Sequence, residues 1–116
     1  MNLAEAKIEL RRRLQCGAPG DEESVILGWV DGAEVCLMGW EGRPERDVMA
    51  VETHANVADS MQIVLGGEME IYYPGDGTRV TLREGDAHVV PGGAEHSCVS
   101  SKPSLVLVVV GHRANS

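Results

Sequence analysis

The sequence predicts an all-β sandwich or barrel that is preceded by one short helix. From about residue 24 onward, about nine short apolar or alternating segments follow one another, with turn signals roughly every 8 to 12 residues and no helical pattern between them. The 14 glycines suit the tight turns and bulges of such a fold. At 116 residues the chain has room for one core, so we expect one domain over residues 1–116, with the barrel at about 24–111.

The predicted helix runs from Asn2 to Gln15. Asn2 is a good N-cap residue, and Glu5, three positions later, completes the pattern of a capping box. Gly17 is a good C-terminal stop. The apolar residues of this segment form one narrow stripe at helical spacing. This predicts that the helix packs on the outside of a larger body or on a partner subunit.

The strands are predicted from alternating or short apolar runs that are bounded by turn residues. The pair Asp31 and Gly32 and the segment Pro74–Gly77 are strong hairpin signals. The predicted strands are Ser24–Val30, Glu34–Trp40, Asp47–His54, Met61–Leu65, Glu68–Tyr73, Thr78–Leu82, His88–Val90, His96–Ser100 and Leu105–Val110.

The composition argues against two classes of partner. The net charge of −8 disfavours binding to nucleic acid and to anionic membranes, because both need a basic surface. No apolar run approaches the roughly 20 residues that span a bilayer, and the N-terminus lacks the pattern of a signal peptide, so we expect a cytoplasmic protein. The three cysteines are an odd number without CxxC spacing, which argues against a disulfide framework or a zinc ribbon.

One stretch combines a short strand, a Pro-Gly-Gly turn and a histidine just past the turn. Gly85, Pro91, Gly93 and His96 have the spacing G-x5-P-x-G-x2-H. This stretch resembles the second motif of the cupin family, whose members are small double-sheet jelly-roll barrels, also described as double-stranded β-helices. The family's motif ends in an asparagine, in whose place this chain has Ser100.

A second resemblance to the cupins lies upstream. His54 and Gly67 match the first histidine and the glycine of the family's first motif. Asn56 stands where that motif has a second histidine, and Ser60 stands where it has a glutamate. Together the two motifs cover roughly residues 48–111. They imply that the predicted all-β fold is a jelly-roll barrel.

The resemblance implies a site for a divalent metal inside the barrel, because cupins hold such an ion with three histidines and a glutamate. This chain keeps two of these ligands, His54 and His96, which are the expected metal ligands. Imidazole and carboxylate groups suit zinc, iron, manganese or nickel. The candidates for completing the ligand set are Cys98, Glu52 and Asp59.

Strand alternation predicts which side chains share the interior, because residues two positions apart in a strand face the same side. Three such faces are expected to converge in a closed barrel: Glu52, His54 and Asn56; Ser60, Gln62 and Val64; and His96, Cys98 and Ser100. The expected ligand pocket is formed by four of these side chains: Asn56, Ser60, Gln62 and Cys98.

Three functions remain open at this point. The first is binding of a small molecule in the barrel through the divalent metal, with or without catalysis. The second is a metal-free binding or sensor role, which the neutral Asn56 and Ser60 favour. The third is a structural role in which the helix and an edge strand form a homodimer, as proteins that resemble this chain often do. A nucleotide cofactor is not expected, because the glycine pairs at 66–67 and 92–93 are followed by neither a lysine nor a helix. The sequence assigns no catalytic residue.

Overall fold

The computed structural model describes residues 2–16, 22–42, 48 and 51–111. In these residues it contains helix α1 (Leu3–Cys16) and eight strands, which confirms the predicted all-β fold with one N-terminal helix. The strands are β1 (Glu22–Val30), β2 (Ala33–Trp40), β3 (Ser60–Gly66), β4 (Glu68–Tyr73), β5 (Thr78–Arg83), β6 (Ala87–Val90), β7 (Ser97–Val99) and β8 (Ser104–Val110).

The strands form two antiparallel sheets that pack face to face. The larger sheet has the strand order β1-β2-β8-β3-β6, and the smaller sheet has the order β5-β4-β7. Between them lies a core of buried apolar side chains, which supplies the main driving force for the association of the sheets. The smaller sheet contributes Met69, Ile71 and Leu82 to this core, and the larger sheet contributes Val64, Val106 and Val108.

One predicted strand, Asp47–His54, differs in the structure. Residue 47 and residues 49 and 50 lie outside the described part of the chain. In the remainder, the Val51 N–H donates to the Val48 carbonyl over 3.4 Å, so the chain turns here instead of extending. Within this segment's described residues, the pairing is limited to His54, whose backbone exchanges two hydrogen bonds of 2.9 Å with that of His96. A single residue pair therefore positions His54.

Helix α1 begins at the predicted capping box. The Glu5 N–H donates to Asn2 Oδ1 over 2.8 Å, and Asn2 Nδ2 donates to Glu5 Oε1 over 2.7 Å. The predicted stop, Gly17, lies outside the described residues. In the described part of the chain, no helix is long and apolar enough to cross a membrane.

The apolar stripe of α1 packs on the outer face of the larger sheet. Leu10 is buried against Val25 of β1 and Leu37 of β2. At the end of the helix, Arg13 Nη1 donates to the carbonyl of Ser24 over 2.6 Å, which ties α1 to the edge strand β1. The helix thus lies outside the double sheet, in agreement with the first of the two predicted placements.

Replacing Asn2 with alanine is expected to lower the free energy of unfolding by about 1 kcal/mol, because the first turn of α1 loses its cap. Urea unfolding followed by circular dichroism measures this change. Asn2→Ser is the matched control: it keeps a side-chain oxygen that accepts the Glu5 N–H, so its loss is expected to be at most half as large. Equal losses in the two variants would contradict the capping role.

Candidate functional site

The two sheets enclose an interior chamber of about 190 Å³. We use this name for the space whose polar lining consists of Glu22, Ser24, Glu34, His54, Asn56 and Gln62, together with the thiols of Cys36 and Cys98. Of these residues, Glu22, Ser24 and His54 are exposed, so the chamber opens to solvent between the β1–β2 hairpin and the segment that begins at His54. Its volume corresponds to about six water molecules at liquid density.

The register of the larger sheet places Gln62 at the centre of the chamber wall. Gln62 lies opposite Val108 on one side and opposite His88 on the other. Val108 in turn lies opposite Cys36. Directly opposed residues project from the same face of an antiparallel sheet. Cys36, Val108, Gln62 and His88 therefore form one row across the inner face of the sheet.

Two side chains of β3 carry buried oxygen atoms without a hydrogen-bond partner in the described residues. Gln62 is 6% exposed, and its Oε1 has no such partner. Ser60, two positions earlier on the same face, is 2% exposed, and its Oγ has none either. A buried polar atom without a partner destabilises the folded state by about 1–3 kcal/mol. The inner face of β3 therefore presents two buried oxygen atoms whose capacity to accept a hydrogen bond is unused by the described residues.

His96 is fully buried, and its imidazole is oriented by the chain beside it. Its Nδ1–H donates to the carbonyl of Ala94 over 2.9 Å. Burial lowers the pKa of His96, so the ring is neutral at pH 7 and its Nε2 carries a lone pair. This Nε2 has no hydrogen-bond partner in the described residues.

The two histidines of the predicted site lie against each other. The ring centroids of His54 and His96 are 4.3 Å apart, with an angle of 57° between the planes. His54 is exposed and lines the chamber, whereas His96 is buried. The backbone bridge between them holds this arrangement, so the two imidazoles form one unit at the edge of the smaller sheet.

Both thiols of the chamber are protonated at neutral pH. Burial raises the pKa of Cys98 to about 12, with a smaller contribution from the charge of Glu22. Burial also raises the pKa of Cys36 to about 11, and the charges of Glu34 and Glu22 add to this. A thiol reacts as a nucleophile and binds metals as the thiolate. Neither cysteine is therefore suited to nucleophilic catalysis at pH 7.

The described side chains do not complete a metal site by themselves. In the part of the chain that the structure describes, no group of three or more His, Cys, Asp and Glu side chains is arranged to hold one. Of the three predicted additional ligands, Asp59 accepts the Gly92 N–H at Oδ1 over 2.7 Å, Glu52 is exposed, and Cys98 belongs to no such group. Two imidazoles remain, one fewer than the three protein ligands of ordinary catalytic zinc sites.

The structure brings most of the predicted pocket residues together. Asn56, Gln62 and Cys98 line the chamber, as does His54. Ser60 shares the inner face of β3 with Gln62. Ser100, predicted to share this interior, is buried but is engaged elsewhere: its Oγ lies within 2.7 Å of the backbone carbonyl oxygens of Glu68 and Lys102 and of Ser104 Oγ.

Comparison with models of protein families gives no match, and neither does comparison with curated protein sequences. Solved structures do match. A protein of unknown function from Rhizobium leguminosarum bv. viciae has a TM-score of 0.72 and 21% identity, with 97% of this chain and 95% of that chain covered. A cupin superfamily protein from Desulfitobacterium hafniense has a TM-score of 0.65 and 19% identity over 81% of this chain and 80% of that chain. The chain has the cupin fold. The predicted resemblance is thereby confirmed for the fold.

A third solved structure of the same fold contains a metal. The Co(II) form of HppE, in complex with Tris buffer, has a TM-score of 0.66 and 11% identity, with 78% of this chain and 53% of that chain covered. At this identity the likeness concerns the fold alone. Whether this cupin-fold protein binds a metal depends on its own residues.

Four groups in or beside the chamber of this cupin-fold protein were not predicted from its sequence. Glu22 and Glu34 line the chamber. His88 belongs to the row of Gln62, and its Nε2 lies 2.6 Å from the hydroxyl of Tyr73. Burial lowers the pKa of His88 and raises that of Tyr73. The alternation within β1, β2 and β4 was available from the sequence, but the sheet order that brings these strands to the chamber was not.

Proposed function

We propose that this cupin-fold protein binds a small polar molecule in its interior chamber. The observation that carries the proposal is Gln62: a neutral amide at 6% exposure in the chamber wall, with no partner for Oε1 in the described residues. A bound molecule with an N–H or O–H group would supply the missing donor. The chamber has room for such a molecule, since it holds the volume of about six water molecules.

The remaining lining is consistent with recognition of a polar molecule. Most ligand sites combine apolar walls with a few polar groups that fix the orientation of the ligand. In the chamber, the apolar walls include Trp40, Met69 and Val108, and the polar groups include Asn56 and Gln62. Nothing in this lining supplies an activated nucleophile, so the proposal is binding, with no reaction assigned.

The test is the variant Gln62→Met, which keeps the length of the side chain and removes its polar atoms. We expect two opposite effects. The free energy of unfolding without ligand rises by about 1 kcal/mol, because an unpartnered buried acceptor is gone. The Kd of a chamber ligand rises about fivefold to tenfold, because one hydrogen bond to the ligand is lost.

The ligand is found by thermal shift against small acids, sugars, alcohols and amines. A ligand at 100 times its Kd stabilises the native state by about 2.7 kcal/mol, which is readily measured. The matched control is Gln15→Met, the same substitution on the exposed face of α1. If every binding molecule is affected equally by Gln62→Met and Gln15→Met, or if none binds, the proposal is wrong.

A metal-mediated form of this function is the second candidate. One observation favours it: the Nδ1–H of His96 is held by the Ala94 carbonyl, which leaves Nε2 with a lone pair, as in most histidines that bind metals. His54 and His96 would hold zinc, iron, manganese or nickel together with groups of the bound molecule. Elemental analysis of tag-free protein from supplemented cultures tests this. A metal that is stoichiometric in the wild type and lost in His54→Ala and in His96→Ala supports it, and an absence of metal rejects it. The homodimer and the cytoplasmic location remain predictions.

A further inference from the structure

The charged side chains in the chamber lining are acidic. Glu22 and Glu34 line the chamber, and the described lining contains neither lysine nor arginine. Both glutamates lie on the inner face of the larger sheet, because Glu22 lies opposite Trp40 and Glu34 lies opposite Val110, two further lining residues. An entering molecule therefore passes two carboxylates.

The field of these carboxylates extends into the chamber. Cys36 lies on the same face of β2 as Glu34, two positions further along the strand. Besides burial, the charges of Glu34 and Glu22 contribute to raising the pKa of its thiol to about 11. Each of the two glutamates thus disfavours a further negative charge at the chamber wall, and the net charge of −8 acts in the same direction at longer range.

The buried amide oxygen of Gln62 also favours a ligand that donates a hydrogen bond. Gln62 Oε1 accepts hydrogen bonds and donates none, and it has no partner in the described residues. The Gln62 side chain also acts on the neighbouring Cys98, whose pKa it lowers against the larger effect of burial. A molecule that reaches Oε1 must therefore present an N–H or O–H group, which a carboxylate cannot do.

We propose that the chamber selects a small organic cation, a protonated amine or a guanidinium compound, over a carboxylate of the same size. The carboxylate of Glu34 attracts the charge, and Oε1 of Gln62 accepts one of the N–H groups. The chamber volume of about 190 Å³ suits a ligand of about six non-hydrogen atoms. This inference rests on the proposed function, because it names the class of ligand for the same chamber.

The test compares three probes of one shape and different charge: n-butylammonium, n-butanol and butyrate. Each is titrated into ¹⁵N-labelled protein at constant ionic strength, with a chelator present, and the amide signals of Cys36, Gln62 and Cys98 are followed. We expect n-butylammonium to bind with a Kd about tenfold lower than that of butyrate, with n-butanol between them. The preference shrinks as salt is added, because the glutamates are partly exposed to solvent.

Two variants connect the preference to the chamber. Glu34→Gln removes one carboxylate at constant shape and is expected to weaken n-butylammonium binding at least threefold. Ser24→Lys places a positive charge at the exposed chamber mouth and is expected to abolish the preference for the cation. Glu84→Gln is the control, because it makes the same change of charge at an exposed turn and leaves binding as it is.

The outcomes separate this inference from the proposed function. If butyrate binds as tightly as n-butylammonium while shifting the chamber signals, the chamber binds small molecules but the cation preference is wrong. If Glu84→Gln weakens n-butylammonium as much as Glu34→Gln does, the attraction belongs to the net charge and the inference is also overturned. If none of the probes shifts the chamber signals, both proposals fail.

Discussion

Replacing Gly67 with alanine is expected to lower the free energy of unfolding by about 3 to 5 kcal/mol, because two separate costs add. The backbone of Gly67 has a φ of +77°, a conformation that residues with a Cβ atom adopt at the cost of strain. A Cβ atom here would also contact Ser104 Oγ, and it would lie 2.5 Å from the carbonyl oxygen of Pro103. Since backbone atoms on the neighbouring segment cannot move aside cheaply, strain and overpacking each contribute about 1–3 kcal/mol.

The neighbouring Gly66 provides the matched control for this prediction. A Cβ atom on Gly66 would meet nothing within 4 Å, and Gly66 is not among the residues with a positive φ. The difference in the free energy of unfolding between the two alanine variants, determined by urea unfolding, therefore measures the cost of the close approach at Gly67. Gly66→Ala should change the free energy of unfolding by less than about 1 kcal/mol. Comparable losses in both variants would show that the approach to Pro103 and Ser104 is not tight in solution.

The role of Gly67 also explains why the cupin motifs predicted the fold of this chain better than they predicted its function. Gly67 matched the glycine of the cupin motif, and the structure assigns this position to packing against the β7–β8 connection. The other two matched glycines, Gly85 and Gly93, likewise sit in turns, with φ of +90° and +82°. Glycine positions are set by backbone geometry, which every protein of one fold shares. Ligand positions are set by chemistry, and Asn56 and Ser60 depart from the motif there.

The strands could be predicted wherever a segment of alternating apolar and polar residues also pairs with a neighbouring strand. The segment Asp47–His54 shows why that condition can fail. Val48 is 1% exposed, yet it is not paired in a strand: its carbonyl accepts the hydroxyl of the buried Ser97 over 2.8 Å. An apolar residue is buried equally well by a turn that covers the sheet, so hydrophobicity by itself does not distinguish the two structures.

The chamber was predictable from single strands and from the motif, but its charge was not. Gln62 and Cys98 follow from alternation within their own segments. Glu22 and Glu34 reach the chamber because β1 pairs with β2, β2 pairs with β8, and β8 pairs with β3. Such long-range pairing depends on the packing of the whole domain, which local patterns do not encode. The same order places His88 beside Gln62 and creates its contact with Tyr73.

Acidification from pH 8 to pH 5 is expected to destabilise the protein through His88 and His96. Burial lowers the pKa of both imidazoles below their ordinary value of 6.5, and the charge of His96 lowers that of His88 further. Between the lowered folded-state pKa and 6.5, the unfolded chain binds more protons than the folded chain. Stability is therefore full above about pH 6.5 and is lost as the pH falls toward the folded-state pKa values, by up to about 1.4 kcal/mol per pH unit for each histidine.

Urea unfolding at half-unit steps of pH measures the slope of the free energy of unfolding against pH. Substitutions of the two histidines show which of them causes this slope. His88→Gln and His96→Gln should each flatten the slope between pH 6.5 and 5, whatever they do to stability at pH 8. Glu9 supplies the control: its two arginine partners lower the pKa of the carboxyl to about 2, so it acts only below the ordinary carboxyl value of 4.5. A Glu9→Gln variant should keep the wild-type slope above pH 5. If both histidine variants also keep that slope, the two imidazoles are not held neutral by burial, and the lone pair assigned to Nε2 of His96 loses its support.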